Sequence, residues 1–210
     1  NTNHQKDHDN LVFFMNKFKN IKCKLFILIS SINVYPILNS KKTENEIIER
    51  SIDFYGKHRL HFENFIMKTY KNYSIIRLPS IYGNNMKKGI LYDLLEKNFL
   101  ENISLEDKFQ FYDLSDLNNH IEYTRNNNIK ILNLVTEPVS TKEIINEIFK
   151  NYKIINNNTI KCNNININLR QRPIKHLDIC SQFFKNGYIY NSNKSKEKIK
   201  NFIQEYTLNK

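Results

Sequence analysis

Hydrophobic and polar positions along the chain follow two periods. Leu11, Phe14, Met15 and Phe18 recur at helical spacing, which predicts a helix over 9–20. The run KLFILIS at 24–30 is continuously apolar and suits a strand buried on both faces of a parallel sheet. A polar loop follows over 36–50. From Tyr55 to about Tyr70 a second helix is predicted, with Tyr55, Arg59, Phe62 and Ile66 on one face. YSIIRL at 73–78 reads as another buried strand, ended by Pro79. Residues 89–100 and 113–126 read as helices, with FQFY at 109–112 a short strand between them, and KILNLV at 130–135 as a further strand. Ser140 and Glu143 form a capping box before a helix carrying Ile144, Ile145, Ile148 and Phe149.

Alternating helix and strand predict an α/β fold built on a doubly wound parallel sheet. After Tyr152 the texture changes. Residues 153–169 are rich in Asn, and Ile165, Ile167 and Leu169 at period 2 predict an exposed strand. Ile199, Phe202, Ile203 and Tyr206 form the stripe of a closing amphipathic helix. The expected organisation is an α/β domain over 1–152 and a small C-terminal subdomain over 153–210.

Composition narrows the class. The 210 residues are 40% hydrophobic and 12% aromatic, which excludes a disordered polymer. The longest run of aliphatic and aromatic residues, Leu25 to Ile29, is too short to span a bilayer. The polar first ten residues do not form a signal peptide. Cys23, Cys162 and Cys180 contain no CxxC pair, which argues against a disulfide framework and a zinc ribbon. The chain therefore reads as soluble, reduced and cytoplasmic, with no membrane partner.

The net charge of +11 accompanies 34 Asn and no Ala, a bias expected of AT-rich coding that favours Lys as well. Only Lys194 to Lys200 clusters, on a predicted helix, and it reads as a solvated face. No nucleic-acid partner is expected. His4 and His8 are spaced i, i+4, and His58 and His61 i, i+3, but no further ligand follows at metal spacing. They read as helix-face histidines, and no metal is expected.

Three segments carry the candidate chemistry. The first strand runs into Ser30-Ser31-Ile32-Asn33-Val34-Tyr35-Pro36. Tyr55, with Arg59 four residues on, opens a helix twenty-four residues after Ser31. The next strand runs through Arg77 into Pro79-Ser80-Ile81-Tyr82-Gly83. A tyrosine, with an ordinary pKa of about 10, is a poor acid/base at neutral pH unless a cation favours its phenolate. One helical turn places such a cation beside it. Sites of this kind sit at the carboxyl ends of strands in open α/β sheets, where Ser31 and Pro79 both fall.

In this order and spacing the segments resemble the NAD-dependent epimerase/dehydratase family, the extended short-chain dehydrogenase/reductases, with its SSxxVYG, YxxxK and R-x-x-x-x-YG pieces. Phe109 to Leu117 resembles the family's F-x-Y-V-x-D-L segment, and Leu132 to Ile148 its N…E-x-V-S…E-I…I segment. The resemblance implies a partial Rossmann-like sheet with a substrate-side C-terminal subdomain. It also implies NAD or NADP as cofactor, a nucleotide-activated sugar as substrate, and a second copy of the chain as a candidate partner. Ser31, Tyr55 and Arg59 would be catalytic: Ser31 orients the substrate oxygen, and Tyr55 takes the alcohol proton as hydride leaves to the nicotinamide. Ser30, Tyr55, Arg59, Pro79 and Ile81 would line the cofactor. Ser31, Arg170 and Arg172 would meet the substrate, the arginines at its diphosphate.

Two departures stand out. Arg59 replaces the family's Lys, a swap that is not conservative at a hydrogen-bonding site. The Gly-rich GxxGxxG loop has no counterpart among Gly56, Gly83, Gly89 and Gly187. By the resemblance, roughly 60–90 residues of a Rossmann unit are missing ahead of the chain, and this chain alone would bind dinucleotide weakly or not at all. The alternative is a catalytically degenerate member acting as a binding or regulatory protein.

Overall fold

The computed structural model describes residues 4–51 and 53–208. In chain order the elements are α1 (His4–Phe18), β1 (Phe26–Ser31), α2 (Phe54–Thr69), β2 (Tyr73–Leu78), β3 (Ser80–Tyr82), α3 (Ile90–Glu96), β4 (Lys108–Phe109) and β5 (Phe111–Asp113). There follow α4 (Leu117–Asn126), β6 (Ile131–Asn133), β7 (Val139–Ser140), α5 (Thr141–Glu147), β8 (Tyr152–Asn156), β9 (Thr159–Cys162), β10 (Ile165–Asn168) and α6 (Ser192–Leu208). The predicted α/β alternation is present, with β1, β2 and β6 in one parallel sheet.

Two compact units divide the chain. The first takes the residues up to Leu78, Asn118–Leu134 and Ile179–Phe183; the second takes Pro79–Leu117, Val135–Asp178 and the residues from Phe184 on. The position near 152, where the sequence texture changes, lies inside the second unit.

The first unit is built on the sheet β1-β2-β6, parallel throughout. Its alternate residues Leu28 and Ile75 face Phe62, Ile66 and Tyr70 of α2 and its C-cap, and Leu11, Met15 and Phe18 of α1 complete the cluster. The Phe18 ring stacks 5.9 Å from Phe62. Full burial of such side chains stabilises by about 1.5–3 kcal/mol each.

One expectation needs correcting here. KLFILIS is not buried on both faces: Ile29 is 37% exposed. Leu28 faces α1 and α2, whereas the next residue, Ile29, points to the opposite face of β1. Among the described residues β1 pairs with β2 alone.

The second unit packs an apolar cluster that includes Leu91 and Leu94 of α3, Ile144 and Ile145 of α5, and Ile199 and Phe202 of α6. The Ser140–Glu143 capping box forms as predicted at the start of α5. The segment 109–112 is two strands rather than one. Buried Gln110 breaks it by donating to the Thr136 carbonyl at 2.7 Å, so β4 pairs antiparallel with β7 while β5 runs parallel to β3. Residues 152–168 form an antiparallel meander in which β10 is the exposed strand expected from its period.

The lysine run of α6 departs from expectation in part, because Lys196 and Lys198 are paired with other elements rather than simply solvated. Lys196 lies 2.8 Å from Glu147 and 3.6 Å from Glu143, and Lys198 lies 3.2 Å from Asp116 and 3.5 Å from Asp113. No described helix is long and apolar enough to cross a membrane.

Candidate active site

The first unit carries Ser30, Ser31, Tyr55 and Arg59; the second carries Pro79, Ile81, Arg170 and Arg172. Ser31 ends β1 and caps the 3₁₀ turn Ile32–Val34. Its hydroxyl accepts from the Asn33 amide at 3.2 Å and donates to Asn33 Oδ1 at 3.3 Å. The neighbouring Ser30 hydroxyl is buried and has no hydrogen-bond partner among the described residues; the same holds for the Ser195 hydroxyl of α6. An unpaired buried hydroxyl costs free energy.

Tyr55 lies in the first turn of α2. Asp53 caps that helix by accepting from the Gly56 amide at 2.7 Å. Gly56 explains how the helix reaches the Ser31 turn. A Cβ at that position would stand 2.0 Å from the Asn33 carbonyl oxygen and 2.9 Å from Ser51 Cβ. Only glycine permits backbone to approach backbone this closely. The residue after Tyr55 is thus pressed against the residue two beyond Ser31. Tyr55 itself is 46% exposed, and the Arg59 guanidinium carbon sits 5.0 Å from its ring centroid. The one-turn offset therefore delivers the cation, but onto the ring face.

A buried polar network underlies this end of the sheet. Ser30, Arg77 and Asn133 are register neighbours on β1, β2 and β6. Arg77 holds the fully buried Glu63 of α2 through a fork, Nε to Oε1 at 3.1 Å and Nη2 to Oε2 at 2.7 Å. Its Nη1 donates to the Tyr35 hydroxyl at 3.0 Å. Tyr35 also accepts from Asn133 Nδ2 at 2.8 Å and donates to the Thr43 carbonyl at 2.9 Å. Buried Glu44 continues the network, accepting from the Asn133 amide, the Ser181 hydroxyl and the Gln182 amide at 2.6–3.0 Å. Burial pushes the Tyr35 hydroxyl above its ordinary pKa, against the opposing pull of Arg77. The phenol stays protonated and can both donate and accept.

Reading along the chain assigns no catalytic or binding role to Tyr35, Glu63, Asn133 or Glu44. The available signal was Arg77, a charge inside an otherwise apolar strand, which demands a buried partner.

In the second unit Arg172 pairs with buried Asp107 and donates to the Asn102 carbonyl at 2.7 Å. Its fork is already engaged. Arg170 is the more open of the two, 3.3 Å from Asn102 Oδ1 and 3.8 Å from Glu101. Ile81 is 48% exposed on β3. A cavity of about 500 Å³ in the same unit is lined by Gly83, Asp113, Ser115, Lys198 and Glu205 among others. The His8 ring lies 5.7 Å from His58 and 6.4 Å from His61, joining α1 to the α2 pair; the His4 side chain lies outside the described residues.

Comparison with known proteins places the fold. The chain is similar to UDP-N-acetylglucosamine 4-epimerase from Methanobrevibacter ruminantium, solved with UDP-N-acetylmuramic acid: TM-score 0.68, 14% identity, 98% of this chain and 70% of that one. UDP-glucose 4-epimerase from Thermotoga maritima, solved with UDP-glucose, aligns with TM-score 0.68 at 14% identity over 98% of this chain and 71% of that one. UDP-glucuronic acid 4-epimerase from Bacillus cereus, solved with UDP-glucuronic acid and NAD, aligns with TM-score 0.54 at 20% identity over 67% of this chain. There the match spans only 49% of the solved chain.

The fold is the Rossmann-like α/β fold of these epimerases, present in part. At such identities the likeness is one of fold. No family model matches the sequence, and no curated protein matches it either.

Proposed function

We propose that this chain is the nicotinamide- and substrate-side part of an NAD(P)-dependent epimerase, dehydratase or reductase acting on a nucleotide-activated sugar, within a longer protein. The observation that carries the reading is the Gly56–Asn33 approach, which sets the Tyr55–Arg59 turn of α2 against the Ser31 turn of β1. The shared fold with UDP-sugar epimerases supports the substrate class.

The residues fit a dinucleotide at one end only. Orphaned Ser30 and the exposed Tyr55–Arg59 pair suit a nicotinamide ribose. No glycine-rich cradle for a pyrophosphate exists among the four glycines. When bound, the dinucleotide supplies a hydride acceptor. The chain's own part is acid–base work and orientation. Tyr55 Oη takes the proton of the substrate alcohol, Arg59 lies against the Tyr55 ring, and Ser31 Oγ turns from Asn33 to hold the substrate oxygen. Arg170 is the better placed arginine for a diphosphate, since Asp107 already holds Arg172.

A second reading, a binding protein that has lost catalysis, draws support from Arg59 lying over the Tyr55 ring. Incubating the complete protein with NAD or NADP and a panel of UDP- and dTDP-sugars separates the two. Interconversion at the sugar ring, followed by NMR, is expected. Binding of a nucleotide sugar without turnover contradicts the enzyme reading and favours the second. The 210-residue chain alone should bind NAD(P)H weakly or not at all by calorimetry; micromolar affinity would show that a pyrophosphate site has been overlooked.

A further inference from the structure

We infer that Tyr35 is the positioning residue that fixes the Ser31 hydroxyl, with Arg77 and Asn133 as its anchors. This rests on the reading of Ser31 as a substrate-orienting group. Ser31 and Tyr35 bracket one 3₁₀ turn: Ser31 caps its start, and the Tyr35 amide closes its end on the Ile32 carbonyl at 3.0 Å. A turn this short has little stiffness of its own. Its stiffness comes from Tyr35, which is wholly buried and has its hydroxyl held by Arg77, Asn133 and Thr43.

Each anchor is itself held by a further partner. Arg77 is forked onto Glu63 at the core of α2, and Asn133 Nδ2 also donates to the Cys180 carbonyl at 2.8 Å. The same helix that presents Tyr55 therefore holds, through Glu63, Arg77 and Tyr35, the turn that presents Ser31. Gly56 clamps that turn from its side. Coupling both hydroxyls to one buried ion pair is a way to hold them within the small tolerance that proton transfer requires.

Tyr35→Phe keeps the ring and deletes the hydroxyl that Arg77 and Asn133 grip. Hydrogen exchange of the Asn33 and Tyr35 amides should rise about tenfold while the amides of β2 and α2 keep their protection. In the complete protein kcat should fall about tenfold or more with KM within roughly twofold, because geometry rather than substrate affinity is lost. Should Tyr35→Phe not fold, Arg77→Lys keeps a charge for Glu63 but loses the donor to Tyr35, and the same local pattern is expected. Unchanged exchange in the turn overturns the proposal, and so does an equal rise across β2 and α2, which marks Tyr35 as ordinary core. If the protein turns over no nucleotide sugar, the functional reading fails, while the exchange result still decides whether Tyr35 holds the turn.

Discussion

The two units solve the burial problem differently. The second is centred on an apolar cluster in which side chains from α3, α5 and α6 interdigitate; its ion pairs join α6 to its neighbours, and among the described residues a single buried carboxylate, Asp107, is held by Arg172. The first has a smaller apolar cluster between α1, α2 and the sheet, with a buried network of Glu63, Arg77, Tyr35, Asn133 and Glu44 beside it. Buried charge is an expensive way to stabilise a fold, since apolar residues of the same volume often do as well or better. What it supplies is directional. Each bond fixes a distance and an angle, whereas apolar contact fixes only proximity. The directional interior lies in the unit that carries Ser31 and Tyr55. Fold economy rules the second unit, and geometry rules the first.

That contrast can be broken by substitution. Arg77→Met strands Glu63 in the interior and should destabilise the protein by about 3–5 kcal/mol, while Glu63→Met with Arg77→Met should recover most of the loss. Chemical denaturation of both variants checks this; a double variant as poor as the single one would show the pair to be irreplaceable rather than costly. Gly56→Ala forces a methyl onto the Asn33 carbonyl and should cost about 1–3 kcal/mol by the same method. Its damage should centre on the turn 31–35, with the second unit's amides still protected in hydrogen exchange.

The smallest effect belongs to the second unit. Ser140→Ala removes the cap of α5 and should cost about 0.5–2 kcal/mol. It should also change the acid limb. Partial burial raises the Glu143 carboxyl, but hydrogen bonds from Ser140 and the charge of Lys196 outweigh it and leave it below its ordinary 4.5. A carboxyl lowered on folding contributes stability above 4.5, and the contribution is lost as pH falls through the folded value. Denaturation midpoints between pH 6 and pH 3 should fall less steeply in Ser140→Ala than in the parent.

Periodicity located the helices α1 to α6 and the three strands of the parallel sheet because burial dictates it, and it missed the short strands β3, β7, β8 and β9. The helix carrying Tyr55, the strands at 73–78 and 130–135, and the capping box of α5 are local patterns that packing then confirmed. Where reading along the chain failed, the deciding partner was distant. Gln110 splits a strand because Thr136 takes its amide, and Lys198 is paired because Asp113 and Asp116 lie across from it. Ile29 is exposed because it points away from the face of β1 that α1 and α2 cover. The candidate site was half legible. Ser31, Tyr55 and Arg59 are neighbours in motif spacing, whereas Glu63, Asn133 and Glu44 join them only through folding.

The most direct measurement is turnover of nucleotide sugar by Tyr55→Phe in the complete protein. The substitution keeps the ring under Arg59 and deletes the one oxygen assigned to proton transfer. A loss of about 10²–10⁴-fold in kcat, the range typical of a removed general acid–base, is the predicted result. Turnover equal to that of the parent would contradict the assignment of Tyr55, and with it the account of how this site works.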